Sequence, residues 1–221
     1  MQGLCDVLRS QATARMAREV NDRLSAGQIP VSPGALPGHE LVGARLVGQM
    51  PSNDIVDFWP RVSSGIVKKG FVIEYRDLEP PRTGIFDGLR IVIDPDVGFE
   101  MQCFLLLHLF GHSVQWVAPS LEHKLEALQS TQDRTHFMEV LRAYEFEAAG
   151  FGMQLMREQG VISHDQWYSD FVHTDWRYVE RFYQESGIPP WHECIVTGSP
   201  LIQPSHLPPL KHRQVEVRFA F

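Results

Sequence analysis

The sequence predicts an α+β fold, a helical bundle packed against a small antiparallel sheet. Three observations predict it. Long segments carry apolar residues at spacings of three and four, two short runs are rich in β-branched residues, and Gly/Pro-rich stretches flank that core on both sides. With 221 residues, 43% of them hydrophobic, the chain can bury a sizeable core as a single domain over residues 1–221. Within it the reading distinguishes an N-terminal helix at 1–26, a loop-rich segment at 27–62, a core at 63–187 and a Pro-rich tail at 188–221.

Taken in order, Leu4, Val7, Leu8, Ala12, Met16, Val20 and Leu24 have helical spacing, and Gly27 and Pro30 end that helix. Residues 27–62 hold five glycines and five prolines, which favours loops and turns. Residues 71–75 and 89–93 read as strands, the second bounded by Gly88 and by Asp94-Pro95. Residues 77–88 would connect them as an antiparallel pair. Residues 98–117 form a helix that is apolar nearly all round from Cys103 to Phe110, as a helix buried on most sides must be. In residues 136–158 an apolar stripe runs through Phe137, Leu141, Tyr144, Ala148, Phe151 and Leu155, with Gly160 as the stop. Ser163 is placed to cap a further helix that runs to 185 and turns Trp167, Phe171, Trp176, Val179 and Phe182 inward. From residue 188 the chain holds six prolines and is expected to wander over the surface, and residues 215–221 alternate like an edge strand.

Composition excludes several classes of function. A formal net charge of -7 and the lack of any basic run longer than Lys68-Lys69 speak against direct nucleic-acid binding. The longest apolar stretch, residues 103–107, is far short of the roughly 20 residues that span a bilayer. Cys5, Cys103 and Cys194 are odd in number and far apart, a reduced pattern, and the N-terminus lacks a signal-peptide run. A cytoplasmic protein is expected.

The chemistry concentrates in the apolar helix. His108 and His112 stand four residues apart, which stacks their imidazoles on one face, one turn from each other. Two ring nitrogens so placed can bind one divalent metal ion, and a metal would satisfy imidazoles that are costly to bury unpaired. A third ligand has to come from elsewhere. The helix at 136–158 offers Glu145 and Glu147, which flank its apolar stripe on opposite edges, each about 80° from the centre. Periodicity does not choose between them.

The stretch from Leu89 to Gly152 resembles the ImmA/IrrE family of zinc metallopeptidases. That family places a strand ahead of a helix bearing His-Glu-x-Gly-His, with a later helix carrying Glu-Ala-x-x-Phe-Ala. Here the order is Ile91-Val92-Ile93-Asp94, then His108-Leu109-Phe110-Gly111-His112, then Glu147-Ala148-Ala149-Gly150-Phe151-Gly152. The resemblance covers roughly a third of the chain. It implies a zincin-like fold, zinc held by His108, His112 and Glu147, and a protein or peptide substrate or partner, in the family commonly a transcriptional regulator. The general-base glutamate of the family is replaced by Leu109, so hydrolysis is expected to be weakened or altered, by about 10²- to 10⁴-fold where the base does its usual work. Gly152 replaces the motif's final alanine. Glu145 and Glu100 are the acids in reserve, although Glu100 suits the first turn of its helix better.

Two further readings compete. Two histidines and a carboxylate without a base also compose a facial triad suited to non-haem iron(II). Alternatively the chain is a non-catalytic regulatory or binding module. His173, Tyr144 and Tyr168 are candidates for facing the cleft. Trp191-His192-Glu193-Cys194, with His206 and His212, has no closed zinc spacing and reads as surface loop.

Overall fold

The computed structural model of the chain describes residues 55–79, 82–117, 134–185, 189–212 and 219–220. The helix expected at residues 4–25 lies outside them. The described elements are α1 (Ile55–Lys68), β1 (Val72–Tyr75), β2 (Gly84–Phe86), β3 (Arg90–Ile93), α2 (Phe99–Val117), α3 (Arg134–Glu158), α4 (Asp165–Gln184), the single turn α5 (Trp191–Cys194) and β4 (Phe219–Ala220). The mixed α+β class is as the sequence indicates.

α1 corrects the loop assignment of residues 55–62. Phe58, Val62 and Ile66 recur every fourth residue and are all buried, so one stripe of the helix joins the core. That burial outweighs the helix-weakening effect of Pro60 inside the element.

The sheet is also corrected. The two expected strands, β1 and β3, are neighbours but run parallel, with Val72 opposite Arg90 and Tyr75 opposite Ile93. The return stroke is β2, within the segment 77–88 expected only to connect the two strands. It pairs antiparallel with β3, and β4 pairs antiparallel with its other edge, giving the order β1-β3-β2-β4. Only three residues long, β2 offers no alternation to read. Its turn into β3 is held by Asp87, whose carboxylate accepts hydrogen bonds from the N–H groups of Leu89 (3.1 Å) and Arg90 (2.7 Å). Gly88, with φ +83°, supplies the left-handed residue this turn needs.

α2 is the axis of the molecule. Every residue from Cys103 to Val117 is buried, with the sheet against one side and α3 against another. The closest approach is at Gly111, where a Cβ would stand 2.0 Å from the carbonyl oxygen of Ala148. α3 ends as its sequence indicates. Gly160 adopts φ +69°, its N–H bonds the carbonyl of Arg157, and the next N–H, of Val161, bonds that of Met156. The cap of α4 is His164 rather than Ser163, and no side chain bonds the first turn.

The Pro-rich segment does not wander where it is described. Asp170 of α4 accepts hydrogen bonds from the N–H groups of Gly198 and Ser199 and from the Ser199 hydroxyl, and the Ser169 hydroxyl accepts one from Ile202 N–H. Ser199 and Ile202 are buried, and Ser205 N–H reaches the carbonyl of Gly150 on α3. Two side chains of α4 thus substitute for the ladder that prolines deny this segment. Among the described residues, no helix is long and apolar enough to cross a membrane.

Candidate metal centre

Both histidines of α2 point toward α3. Their Nε2 atoms are 3.0 Å apart, and the Glu145 carboxylate oxygen Oε2 lies 3.1 Å from Nε2 of His112 and 3.3 Å from Nε2 of His108. All three side chains are buried. The polypeptide thus brings a His-His-Glu group together in its interior, and this group can hold a metal ion.

The geometry fits that use. Bonds of about 2.0–2.1 Å place neighbouring ligand atoms about 3.3–3.4 Å apart around a tetrahedral ion and about 2.9–3.0 Å apart around an octahedral one. The three observed separations fall on that scale, so the three atoms can form one face of a coordination shell. The chemistry of the donors fits as well, two neutral imidazoles and a carboxylate that stays ionised.

The third donor corrects the motif alignment. Glu145 reaches the histidines, whereas Glu147 does not join the group. Two residues apart on a helix means about 200° of rotation, so only one of the pair can face α2. The docking of Tyr144 and Ala148 against α2 settles which. Glu147 takes a supporting place, where its Oε2 accepts a hydrogen bond from Gln115 Nε2 at 3.0 Å. Gln115 also donates to the carbonyl of Tyr144, and its own Oε1 lies 2.9 Å from Nδ1 of His112. An amide oxygen only accepts, so His112 carries its proton on Nδ1 and presents a lone pair from Nε2, the arrangement a metal-binding imidazole needs. Gln115 was not singled out from the sequence. The signal available was a buried amide three residues after His112 in an otherwise apolar helix.

The rings are held by aromatic walls. Phe86 of β2 and Tyr144 stack on His112 at centroid distances of 5.8 and 5.0 Å, and Phe104 stacks on His108 at 5.2 Å. Tyr144 is therefore a packing residue beside the site, and its hydroxyl accepts a hydrogen bond from Trp116 Nε1. His173 packs against Phe146 instead, and Tyr168 is fully buried beside Gly152. Glu100 stays in the first turn of α2, about 12 Å along the helix axis from His108. Leu109 is fully buried, its methyl carbon pressed toward the backbone of Gly84 in β2.

A fourth group comes from α4. Asp175 places Oδ2 3.9 Å from Nε2 of His108. No spacing rule marked it, because it lies 67 residues beyond His108.

Without a metal these groups share protons. Burial pushes the His108 pKa down, but the hydrogen bond to Glu145 and the charges of Asp175 and Glu145 reverse this and raise it above 6.5. His112 moves the other way, through burial and repulsion from His108. Burial also works against the ionised Glu145, yet the two histidines hold its carboxyl far below the usual range. Burial pushes Asp175 up to about 6, with attraction from His108 and repulsion from Glu145 acting in opposite directions. A buried ion pair of this kind is a natural exchange partner for a dication, which replaces the proton on His108.

A second cluster, Asp77, Asp94 and Asp96, is different. Only Asp94 is buried, and its oxygens accept backbone N–H bonds from Leu78 and Asp96. It holds the turn after β3.

Fold and site together define a mixed α+β protein with a buried His-His-Glu group suited to a metal ion. Comparison with protein-family models, curated proteins and solved structures finds no match to this chain.

Proposed function

We propose that this chain is a metallopeptidase-like, zinc-binding protein in which hydrolysis is weakened or redirected by the loss of the general base at position 109. The observation that carries the reading is the convergence of His108, His112 and Glu145 within 3.0–3.3 Å of one another. Gln115 supports it by fixing the His112 tautomer for metal binding. When bound, zinc would polarise a carbonyl oxygen and acidify water. The chain's own part is to hold two neutral nitrogens and one carboxylate rigidly, with aromatic rings excluding bulk water. Leu109 performs no proton transfer and packs on β2 instead. By family analogy the partner is a protein or peptide segment, such as part of a transcriptional regulator.

A second reading has its own observation. The 3.0 Å separation of the imidazole nitrogens matches an octahedral edge, and a 2-His-1-carboxylate face suits iron(II) and oxygen chemistry. Elemental analysis of untagged protein, prepared in air and anaerobically, separates the two. About one zinc per chain, lost in His108→Ala, is the expected result, and screening against unfolded protein substrates follows from it. Iron retained chiefly without air would replace zinc as the assignment. A stable, metal-free protein in both preparations would refute the metal centre and leave a binding module.

A further inference from the structure

The triad is closed on three sides. Phe104 covers His108, Phe86 and Tyr144 sandwich His112, and α3 carries Glu145. The exposure of the side chains shows which neighbour of the triad solvent reaches. His108, His112 and Glu145 are 2%, 0% and 10% exposed, whereas Asp175 beside them is 21% exposed. An outside molecule that reaches the triad from this side passes Asp175.

The position of Asp175 is informative in a second way. Two donors on one ion at about 2.0–2.1 Å lie at most about 4.2 Å apart, and adjacent ones lie closer, at about 3.0–3.4 Å. Asp175 is 3.9 Å from Nε2 of His108 but stands outside the compact group of three. Asp175 therefore borders the triad beside His108, within reach of whatever occupies it. Among the described residues, its carboxylate has His108 as its ion-pair partner and accepts no hydrogen bond. Its lone pairs are thus free for an incoming group.

We propose that Asp175 lines the open side of the His108–His112–Glu145 site and selects what binds there, accepting a hydrogen bond from ligands that carry O–H or N–H and disfavouring anions. It is a positioning residue, and its role rests on the metal-centre reading above. The preference follows from charge and donor count. A carboxylate only accepts, and it repels a monoanion at about 4–5 Å strongly enough to cost at least about tenfold in affinity. Because the amide of Asn can donate, Asp175→Asn should invert that preference.

The test uses cobalt(II) as a coloured stand-in for the ion. Full-length wild type and Asp175→Asn are loaded with cobalt and titrated with azide, an anion with no proton to give, and with imidazole, a neutral ligand that binds through one nitrogen and keeps an N–H on the other. The visible spectrum reports occupancy. In Asp175→Asn azide should bind at least about tenfold tighter and imidazole about tenfold weaker, with one cobalt per chain retained. Unchanged affinities for both in a fully loaded variant would overturn the proposal. So would loss of cobalt from a folded variant, which would make Asp175 a ligand. Should Asp175→Asn fail to fold, Asp175→Ser removes the same charge and decides the same question. If wild type takes up no cobalt, the metal centre itself falls, an outcome distinct from failure at Asp175.

Discussion

Gly111→Ala is the sharpest test of how the fold builds the site. Gly111 lies between the two histidines and touches α3 three residues beyond Glu145. A Cβ there would sit 2.0 Å from the Ala148 carbonyl oxygen, 2.6 Å from its carbonyl carbon and 2.9 Å from its Cα. These are backbone atoms of a helix and do not rotate away. Restoring an ordinary contact of 3.4 Å to the oxygen requires α2 and α3 to separate by about 1.4 Å. Overpacking of this kind costs about 1–3 kcal/mol, and the collision with backbone puts it at the upper end. Alanine returns up to about 1 kcal/mol of helix propensity. The net expectation is a loss of about 2 kcal/mol, or about 4–8 °C in Tm for a chain of this size.

The site should suffer more than the fold. Glu145 sits on the helix that is pushed away, and its contacts to the histidines are 3.1 and 3.3 Å. A displacement above 1 Å carries its oxygen out of reach of an ion held by both imidazoles. Thermal denaturation together with metal content reads both effects. Gly98→Ala is the control, since nothing lies within 4 Å of a Cβ at that position. A Gly111→Ala protein that melts within about 1 °C of wild type and keeps its metal would refute the close-packed geometry on which the site depends.

Further outcomes follow from the same geometry. Glu145→Gln should abolish stoichiometric metal binding, whereas Glu147→Gln and Gln115→Leu should weaken it by about 10- to 100-fold as supporting residues do; chelator competition checks the ranking, and equal losses at 145 and 147 would contradict it. Leu109→Glu should destabilise by about 3–5 kcal/mol, because it puts an unpaired carboxylate into a fully buried position against β2, and urea denaturation measures this. A folded Leu109→Glu protein that binds metal yet hydrolyses no unfolded substrate would refute the proposal that a missing base at position 109 limits hydrolysis. The pH dependence of each group has its own sign. His108 has a folded-state pKa raised above 6.5, so its contribution to stability is full below 6.5 and is lost as pH rises through the folded value. Asp175, raised from 3.8 to about 6, adds in the same direction, its contribution disappearing between those values as pH rises. His112 and His173, whose pKa values are lowered from 6.5, act the other way, so the His108 part is read by difference: His108→Gln should lose more stability relative to wild type at about pH 5 than at about pH 8 in the metal-free protein. Metal affinity should run the opposite way, increasing up to about tenfold per pH unit and continuing to increase above 6.5, because the ion displaces the His108 proton. A plateau beginning below pH 6.5 would show that His108 carries no such proton.

Much of the fold was legible because its signals are local. The apolar run before His108 and the three-four stripe that includes Ala148 and Leu155 define α2 and α3 within a residue or two. What failed was non-local. Pro60 looked like a loop residue because its composition is read without the stripe of Phe58, Val62 and Ile66, which gains only when α2 is there to receive it. The direction of β1 relative to β3 was invisible because it depends on β2, a strand of three residues that forms by pairing rather than by pattern. The Pro-rich segment read as wandering for the same reason, since the acceptors that pin Gly198, Ser199 and Ile202 are on α4, about 30 residues earlier.

The site divides along the same line. His108 and His112 could be read as a pair because one helix turn fixes their relation. The choice between Glu145 and Glu147 could not, since a helical wheel leaves both on the boundary and a motif alignment carries over order without rotation. The structure decides it through contacts the glutamates do not make: Ala148 seated on Gly111 and Tyr144 seated on His112 set the roll of α3, and Glu145 follows. Glu147 then reaches Gln115, the residue that orients His112, so both carboxylates act on one imidazole from opposite ends. This arrangement makes Gln115 the coupling point. Gln115→Glu, an isosteric change, would place a carboxylate against Nδ1 of His112 and confront Glu147 with a like charge. The two effects oppose each other: a carboxylate partner strengthens the imidazole as a ligand, while repulsion at Glu147 loosens the turn of α3 that carries Glu145. Adding Glu147→Gln to Gln115→Glu removes only the repulsion. The double variant should therefore bind metal more tightly than Gln115→Glu alone, by about tenfold, and equal affinities would show that Glu147 acts on His112 by some other route.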